Sequence, residues 1–400
     1  MNDIVKKRLI LGVTGGVAAY KAAELTRLLV KNGVEVRVVM TEAARHFVAP
    51  ATFQALSGQP VLTDLWDGPA ANGMAHIELT RHADAVLIAP ASADFLAKLV
   101  HGAADDLLST LCLARACPLL VAPAMNREMW DNPATQRNVA QLKRDGVVII
   151  GPDSGAQACG ETGPGRMVEP ATLAEDVESY WHPKLLAGKR VLITAGPTFE
   201  AIDAVRGITN LSSGKMGYAV ARAAIEAGAE VTLVSGPTCL TPPTAAKTLS
   251  VTSAQQMLEA VNKEIAGTDI FISVAAVADY YVLNPSEQKI KKDAHILTLE
   301  LAPNPDIVAN VMNLPNPPFC VGFAAESENL YEFAEMKRKR KRLPLLAANL
   351  VQDALGSEDN ELTLFDDDGA HPLPRAPKIV LARQLIARTA KLYHKEKGSK

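Results

Sequence analysis

RLILGVTGGVAAYKAAEL (residues 8–25) reads as strand, glycine turn and helix without a break. RLILGVT (8–14) is an almost unbroken apolar run of strand length, the pattern of a strand covered on both faces in a parallel sheet. Gly15 and Gly16 make the turn, and the helical spacing that follows predicts a helix over about 17–32. This is the opening unit of an α/β sheet, in which ligands bind beyond the carboxyl ends of the strands. Backbone N–H groups at such a helix start, aided by the helix dipole, suit a phosphate. A dinucleotide fingerprint would read G-x-G-x-x-G with an acid closing the second strand. Here the glycines are Gly12, Gly15 and Gly16 and the second strand ends in Met40-Thr41, which favours a mononucleotide such as FMN over NAD.

The same alternation runs along the chain. VEVRVVM (34–40), AVLIAP (85–90), PLLVAP (118–123) and VVII (147–150) read as further buried strands, with helices at about 92–100, 105–115 and 134–144. The pattern then restarts with GKRVLITAG (188–196), AEVTLVSG (229–236), TDIFISVAA (268–276) and FCVGFAAE (319–326). Helices are expected between them at about 215–227, 253–266 and 327–341. A polar, proline-containing stretch, Tyr180–Gly188, separates the sets. The reading is two Rossmann-like parallel-sheet domains in tandem, 1–188 and 189–400, the first flavodoxin-like; 400 residues also exceed what one core usually carries.

Composition narrows the class. A net charge of −3 argues against a nucleic-acid binder. Five cysteines (Cys112, Cys117, Cys159, Cys239 and Cys320) form no CxxC pair, which disfavours disulfides or structural zinc and suits a reducing cytosol. The apolar run near the N-terminus is short for a signal peptide, and no segment reaches ~20 unbroken apolar residues, so a cytoplasmic protein with no membrane partner is expected.

Several loops fall at the ligand edge. Ser92 and Asp94 follow one strand, PAMNREMW (123–130) places Asn126 after the next, and NGMAHIELTRHAD (72–84) puts His76 before a polar helix or turn. GPDSGAQACGETGPGRM (151–167) carries Cys159, Glu161 and Arg166 among glycines and two prolines that forbid a regular helix. On its residues alone it is either a linker with an incidental cysteine or a surface loop with a reactive thiol.

GGVAAYK, the His76 segment, PAMNREMW and the Cys159-bearing GPGRM segment together resemble the flavin-containing cysteine decarboxylase family over residues ~5–180. The resemblance implies an FMN site at Gly15, Gly16, Thr41, Ser92 and Met125, with His76 assisting the chemistry. It implies that Asn126 contacts the substrate carboxylate and that Cys159, on a flap whose glycines let it close and reopen, is the proton donor. A plain cysteine carboxylate has no electron sink; oxidation of its thiol to a thioaldehyde creates one, and the enethiol left after CO2 loss must be reduced and protonated.

In the second half, ITAGPTFEAIDAVRGITNLSSGKMG (193–217) is a Gly/Ser/Thr loop entering a helix, without Walker A spacing. AAVADYYVLNPSEQKIKK (275–292) supplies Asp279, which could bind a metal or a base edge, and Lys289, with Lys291 and Lys292 read as solvated. With NPDIVANV (304–311), VGFAAE (321–326) and AANLV (347–351), these segments resemble phosphopantothenate–cysteine ligase over ~189–395. The resemblance implies a pocket for CTP at Ser273, Val274, Ala275, Asp279, Lys289, Pro305, Asp306, Ile307, Val308, Phe323, Lys337 and Lys341. Asn210 then serves the attack of cysteine on the acyl-cytidylate, Lys289 its formation, and Mg²⁺, met by Asp279, the developing charge. KRKRKR (337–342) could be a nucleic-acid patch, but it ends a helical pattern in which Lys337 and Lys341 share a face, so those two are expected at triphosphate and the rest in solvent. The loop departs from the family's GPTREPID at Phe199 and Ala201, and Gly207 replaces a usual large residue.

The expected protein is a bifunctional coenzyme A biosynthesis enzyme, with trimeric decarboxylase cores and dimeric ligase domains implied by the resemblance. The alternatives are a flavin cysteine decarboxylase with an inactive second half, or a non-catalytic FMN- and nucleotide-binding regulator. The joint presence of Cys159, His76, Asn126, Asn210 and Lys289 argues against both.

Overall fold

The computed structural model describes residues 7–66, 75–291, 297–350 and 357–398, with the side chains of residues 75 and 76 excepted. The chain divides into two compact units, Met1–Glu178 and Ser179–Lys400. Tyr180–Gly188, read as a separator, falls in the second unit, where Leu186 is fully buried in the core.

The first unit is a five-stranded, all-parallel sheet of β1 (Arg8–Val13), β2 (Glu35–Met40), β3 (Ala85–Ala91), β4 (Leu119–Pro123) and β5 (Val148–Ile149). Its order, β2-β1-β3-β4-β5, is the flavodoxin-like one, with the switch point between β1 and β3. Leu9–Val13 are buried because helices cover both faces, so the strand needs no polar alternation. The helices are α1 (Ala19–Lys31), α2 (Glu42–Arg45), α3 (Pro50–Ser57), α4 (Ala75–Arg81), α5 (Ala93–His101), α6 (Leu107–Ala114), α7 (Arg127–Asp131), α8 (Pro133–Arg144) and α9 (Pro170–Trp181). His76 therefore sits within a helix rather than before one, and its side chain lies outside the described residues.

The cysteine-bearing segment is not an irregular loop. β6 (Asp153–Ala156) pairs antiparallel with β7 (Thr162–Arg166), leaving Gln157–Glu161 as the turn with Cys159 at its middle. Its glycines serve contact as well as turning. A Cβ on Gly165 would lie 2.5 Å from the Met125 carbonyl oxygen, and one on Gly163 would lie 2.5 Å from the Arg127 side chain. Only glycine lets the hairpin lie this close to the turn after β4.

The second unit is built on an eight-stranded sheet, twice the four strands legible in the sequence. Its strands are β8 (Arg190–Ala195), β11 (Glu230–Ser235), β12 (Lys247–Ser250), β13 (Ile270–Ser273), β16 (Phe319–Glu326), β17 (Leu345–Leu350), β18 (Asp359–Asp366) and β19 (Gly369–Pro377). The order is β12-β11-β8-β13-β16-β17-β18-β19, with every pairing parallel except those of β18, which runs antiparallel to both β17 and β19. Two small ribbons, β9 (Phe199–Ala201) with β10 (Gly207–Thr209) and β14 (Tyr280–Val282) with β15 (Leu301–Pro303), stand apart from it. The helices are α10 (Lys215–Glu226), α11 (Ala254–Glu264), α12 (Ile307–Met312), α13 (Leu330–Arg340) and the C-terminal Lys378–Gly398. Val220, Ala221 and Ala224 of α10 share a core with Ala382, Leu385 and Ile386 of the C-terminal helix. Among the described residues no helix is long and apolar enough to cross a membrane.

Candidate functional site

In the first unit the carboxyl ends of β1, β3 and β4 meet the starts of several helices. The Thr14 hydroxyl donates to the Pro90 carbonyl at 2.8 Å and accepts from the Ser92 N–H at 3.0 Å, tying the exits of β1 and β3 together. Thr41 and Ser92 cap α2 and α5, their hydroxyls accepting from Ala44 N–H and Phe95 N–H. The cap of α1, Ala18, offers no side-chain oxygen. A Cβ on Gly16 would meet nothing within 4 Å, so backbone there is open to a ligand, whereas Gly15 is needed for close packing on Ala43. A helix start without a side-chain acceptor, beside an open glycine, fits the phosphate of a mononucleotide.

That helix start borders a cleft of about 780 Å³ lined by Gly16, Tyr20, Met125, Asn126, Cys159 and Arg166 among others. Asn126 caps α7 through Oδ1, which accepts from Met129 N–H at 2.9 Å, and this aims Nδ2 at Glu161 Oε2, 3.3 Å away. The same Glu161 oxygen accepts from the Cys159 thiol at 3.6 Å. Gln157 fastens the hairpin beneath them: its Oε1 accepts from Arg127 N–H at 3.0 Å and its Nε2 donates to the Pro164 carbonyl at 3.0 Å. Met125 N–H donates to the Gly165 carbonyl at 2.9 Å. The structure thus brings Gly16, Met125, Asn126 and Cys159 to one cleft; Gly15, Thr41 and Ser92 stand at the strand ends outside its lining.

Lys21 is a residue that sequence reasoning missed. Its ammonium is buried, donating to the Met167 carbonyl at 3.1 Å and to Glu169 at 2.8 Å, so α1 holds the chain leaving the hairpin. Glu169 also accepts from Arg166 at 2.6 Å, and these cations, Lys21 foremost, hold its carboxyl below the usual range. The signal was a lysine inside the apolar stripe of α1, beside Ala22, Leu25 and Leu29.

The second unit has a cleft of about 610 Å³ at the carboxyl ends of β8, β13 and β16. Asn210, Val274, Ala275, Phe323 and Lys337 line it, together with Lys215, Asn349, Asn360 and Lys378, which sequence reasoning did not assign. Asn210 Nδ2 donates to the Ala276 carbonyl at 2.5 Å and its Oδ1 accepts from Ser212 N–H at 3.0 Å, so it fastens the serine loop to the end of β13. α10 starts at the cleft after Gly214, whose φ of +78° and missing side chain leave the first turn without a side-chain cap. Three lysines line this cleft, and although Lys215 also pairs with Glu358 at 2.6 Å, no carboxylate lines it among the described residues, which suits phosphates. Burial, reinforced by Lys341, pushes the Lys337 ammonium below its ordinary value.

Ser273 ends β13 just before the cleft, while Asp279, Lys289, Pro305, Asp306, Ile307, Val308 and Lys341 lie outside its lining. Lys341 instead pairs with Asp306 at 2.7 Å, and Asp306 caps α12. Burial, the largest single influence, would raise the Asp306 carboxyl, but the Lys341 bond, the Ala309 N–H and the charges of Lys341 and Lys337 together hold it low. The expectation that the other cations of KRKRKR are solvated fails at Arg338, which is buried against Glu335 and bonded to Asp367 at 2.8 Å. Lys289 is exposed, yet its neighbour is fixed: Ile290 N–H donates to Asp203 at 3.1 Å and Arg206 donates to the Ile290 carbonyl at 2.8 Å. The Arg206 bond holds the buried Asp203 carboxyl far below the usual range. Two of the three departures, Phe199 and Gly207, explain one another, because a Cβ on Gly207 would lie 2.3 Å from the Phe199 ring. Among the described residues no three His, Cys, Asp or Glu side chains group as a metal site.

Comparison with known proteins covers both units. Residues 1–181 match the flavoprotein family and residues 186–393 the DNA/pantothenate metabolism flavoprotein C-terminal domain family. The coenzyme A biosynthesis bifunctional protein CoaBC of Vibrio cholerae is 52% identical over 392 residues, 96% of this chain and 98% of that protein. Among solved structures, the C-terminal domain of a coenzyme A biosynthesis bifunctional protein is 39% identical, covering 53% of this chain and 99% of its own, with a TM-score of 0.47. A PPC decarboxylase variant complexed with pantothenoylaminoethenethiol is 36% identical, covering 44% and 98%, with a TM-score of 0.40. With both family models matched in order and half the residues shared along nearly the whole length, the chain belongs to the family of coenzyme A biosynthesis bifunctional proteins.

Proposed function

We propose that the second unit joins cysteine to 4′-phosphopantothenate with CTP and that the first decarboxylates the product, 4′-phosphopantothenoylcysteine, to 4′-phosphopantetheine. The observation that carries the reading is the meeting of Asn126 and Cys159 over a cleft bordered by the open turn at Gly16. In the first unit Asn126 Nδ2 holds the substrate carboxylate. Gly15, Gly16, Thr41, Ser92 and Met125, about the α1 start, would hold FMN, which would supply the two-electron oxidation and later reduction that make CO2 loss possible. Cys159 then gives its thiol proton to the intermediate while the hairpin limits access of water. His76 assists from α4.

In the second unit the phosphates of CTP lie at the uncapped start of α10 among Lys215, Lys337 and Lys378. A carboxylate is a poor electrophile until its oxygen belongs to a good leaving group. Attack of the phosphopantothenate carboxylate on the α-phosphate releases pyrophosphate, and attack of the cysteine amine on the acyl-cytidylate releases CMP. Lys289, fixed through Ile290, serves the first step and Asn210 the second. Mg²⁺ carried on the triphosphate would neutralise its charge, and Asp279 is the carboxylate that would hold it. The product of one unit is the substrate of the other, which favours their fusion. Protein incubated with phosphopantothenate, cysteine, CTP and Mg²⁺ should release pyrophosphate and CO2 in equal amounts; pyrophosphate without CO2, or neither, overturns the reading.

A further inference from the structure

Glu161 stands where the proposed mechanism needs a substrate. One of its oxygens lies 3.3 Å from Asn126 Nδ2, the group assigned to the substrate carboxylate, and 3.6 Å from the Cys159 sulfur. Asn126 cannot offer its other end, because Oδ1 is committed to the start of α7. Two carboxylates on one amide repel at this range, so the arriving carboxylate and Glu161 compete. Glu161 and Cys159 are also coupled, through the thiol that donates to the Glu161 carboxylate. They share a turn closed by the bond from Gln157 N–H to the Glu161 carbonyl at 2.8 Å, and the Gln157 side chain pins the turn's base to Arg127. At the tip, Gly160 has a φ of +86° and open space around it, so the tip can shift while the base stays fixed.

We propose that Glu161 is a positioning residue that occupies Asn126 in the free enzyme, is displaced by the substrate carboxylate, and returns when that carboxylate has left as CO2. The return carries Cys159 toward the intermediate, so the proton donor arrives only after decarboxylation. The Cys159 proton passes to the intermediate, and the thiolate that remains takes its replacement from water. No group is oxidised or reduced by Glu161. This inference rests on the roles given above to Asn126 and Cys159.

The test is Glu161→Gln in the full-length, flavin-loaded protein, with 4′-phosphopantothenoylcysteine supplied directly. Loss of the competing charge should lower KM for this substrate by about fivefold, the scale of one displaced hydrogen bond. Inhibition by the decarboxylated product should not change. CO2 should be released in excess over 4′-phosphopantetheine by up to one equivalent of the bound flavin, which is left reduced because the thiol no longer returns on cue. Glu161→Asp, which keeps the charge on a shorter arm, should restore part of the wild-type KM and of the balance between CO2 and product. If KM is unchanged or raised and CO2 and product fall together in both variants, Glu161 only supports the hairpin and the proposal fails. Cys159→Ser separates the two layers: accumulation of oxidised enethiol upholds the underlying roles whatever Glu161 does, and normal product formation overturns them.

Discussion

At the residue scale, burial sorts the thiols. Cys112 and Cys320 are pushed up to about 12 by burial and Cys117 is raised by the same cause, whereas Cys159 and Cys239 are exposed. A short pulse of iodoacetamide on the native protein should therefore modify Cys159 and Cys239 and spare Cys112 and Cys320, as read by peptide mass spectrometry. Lys337 makes the complementary case. Burial lowers it first, and the neighbouring Lys341 and Arg340 add to this against the opposing pull of Glu326 and Asp306. Between its lowered value and the ordinary lysine value of about 10.4, the folded protein has shed a proton that the unfolded chain still holds. Stability from this group therefore rises with pH across that window, while its attraction for phosphate falls. KM for CTP should climb there, and Lys337→Arg, which does not titrate, should flatten the climb.

At the scale of elements, the hairpin β6–β7 is held by contact and not by its own length. Gly165, with a φ of +123°, has no room for a Cβ beside Met125. Gly165→Ala should destabilise the docked hairpin by about 1–3 kcal/mol, abolish most CO2 release and leave pyrophosphate release intact. The β9–β10 turn acts similarly on the ligase side, since Asp203 and Arg206 grip Ile290 beside Lys289. Asp203→Asn should lower the melting temperature of the second unit and its ligase kcat together. The Asp203 carboxyl is depressed, so the stability it contributes is present above the ordinary carboxylate value of about 3.9 and lost as pH falls through the depressed one. Thermal melts at descending pH check this, and the Asn variant should lose that acid limb. β19 shows what the sequence hides at this scale: Pro372, Pro374 and Pro377 argue against a strand, yet the edge of the sheet accepts residues that cannot donate to a ladder.

At the scale of the whole molecule, two compact units in one chain predict separable half-reactions. Cys159→Ser should leave pyrophosphate release from CTP unchanged, and Lys289→Gln should leave decarboxylation of supplied 4′-phosphopantothenoylcysteine unchanged, each followed by product chromatography. The sequence by itself determined the two α/β units, the first sheet's strands and several segments that line the two clefts, because these depend on local apolar runs, glycine turns and caps. It did not show that the cysteine segment is a hairpin, since mixed Gly, Pro and polar residues pair there only against the fixed turn at Met125–Arg127. Nor did it show Lys21 tied to Glu169, the Asp203–Arg206 hold on Ile290, or Lys215 and Lys378 beside Lys337. Each joins residues far apart in sequence, and only tertiary packing decides which polar group finds which partner once both leave water. Glu161 is the clearest instance: in the sequence it is a carboxylate two residues from a cysteine, and in the fold it stands on the amide of Asn126.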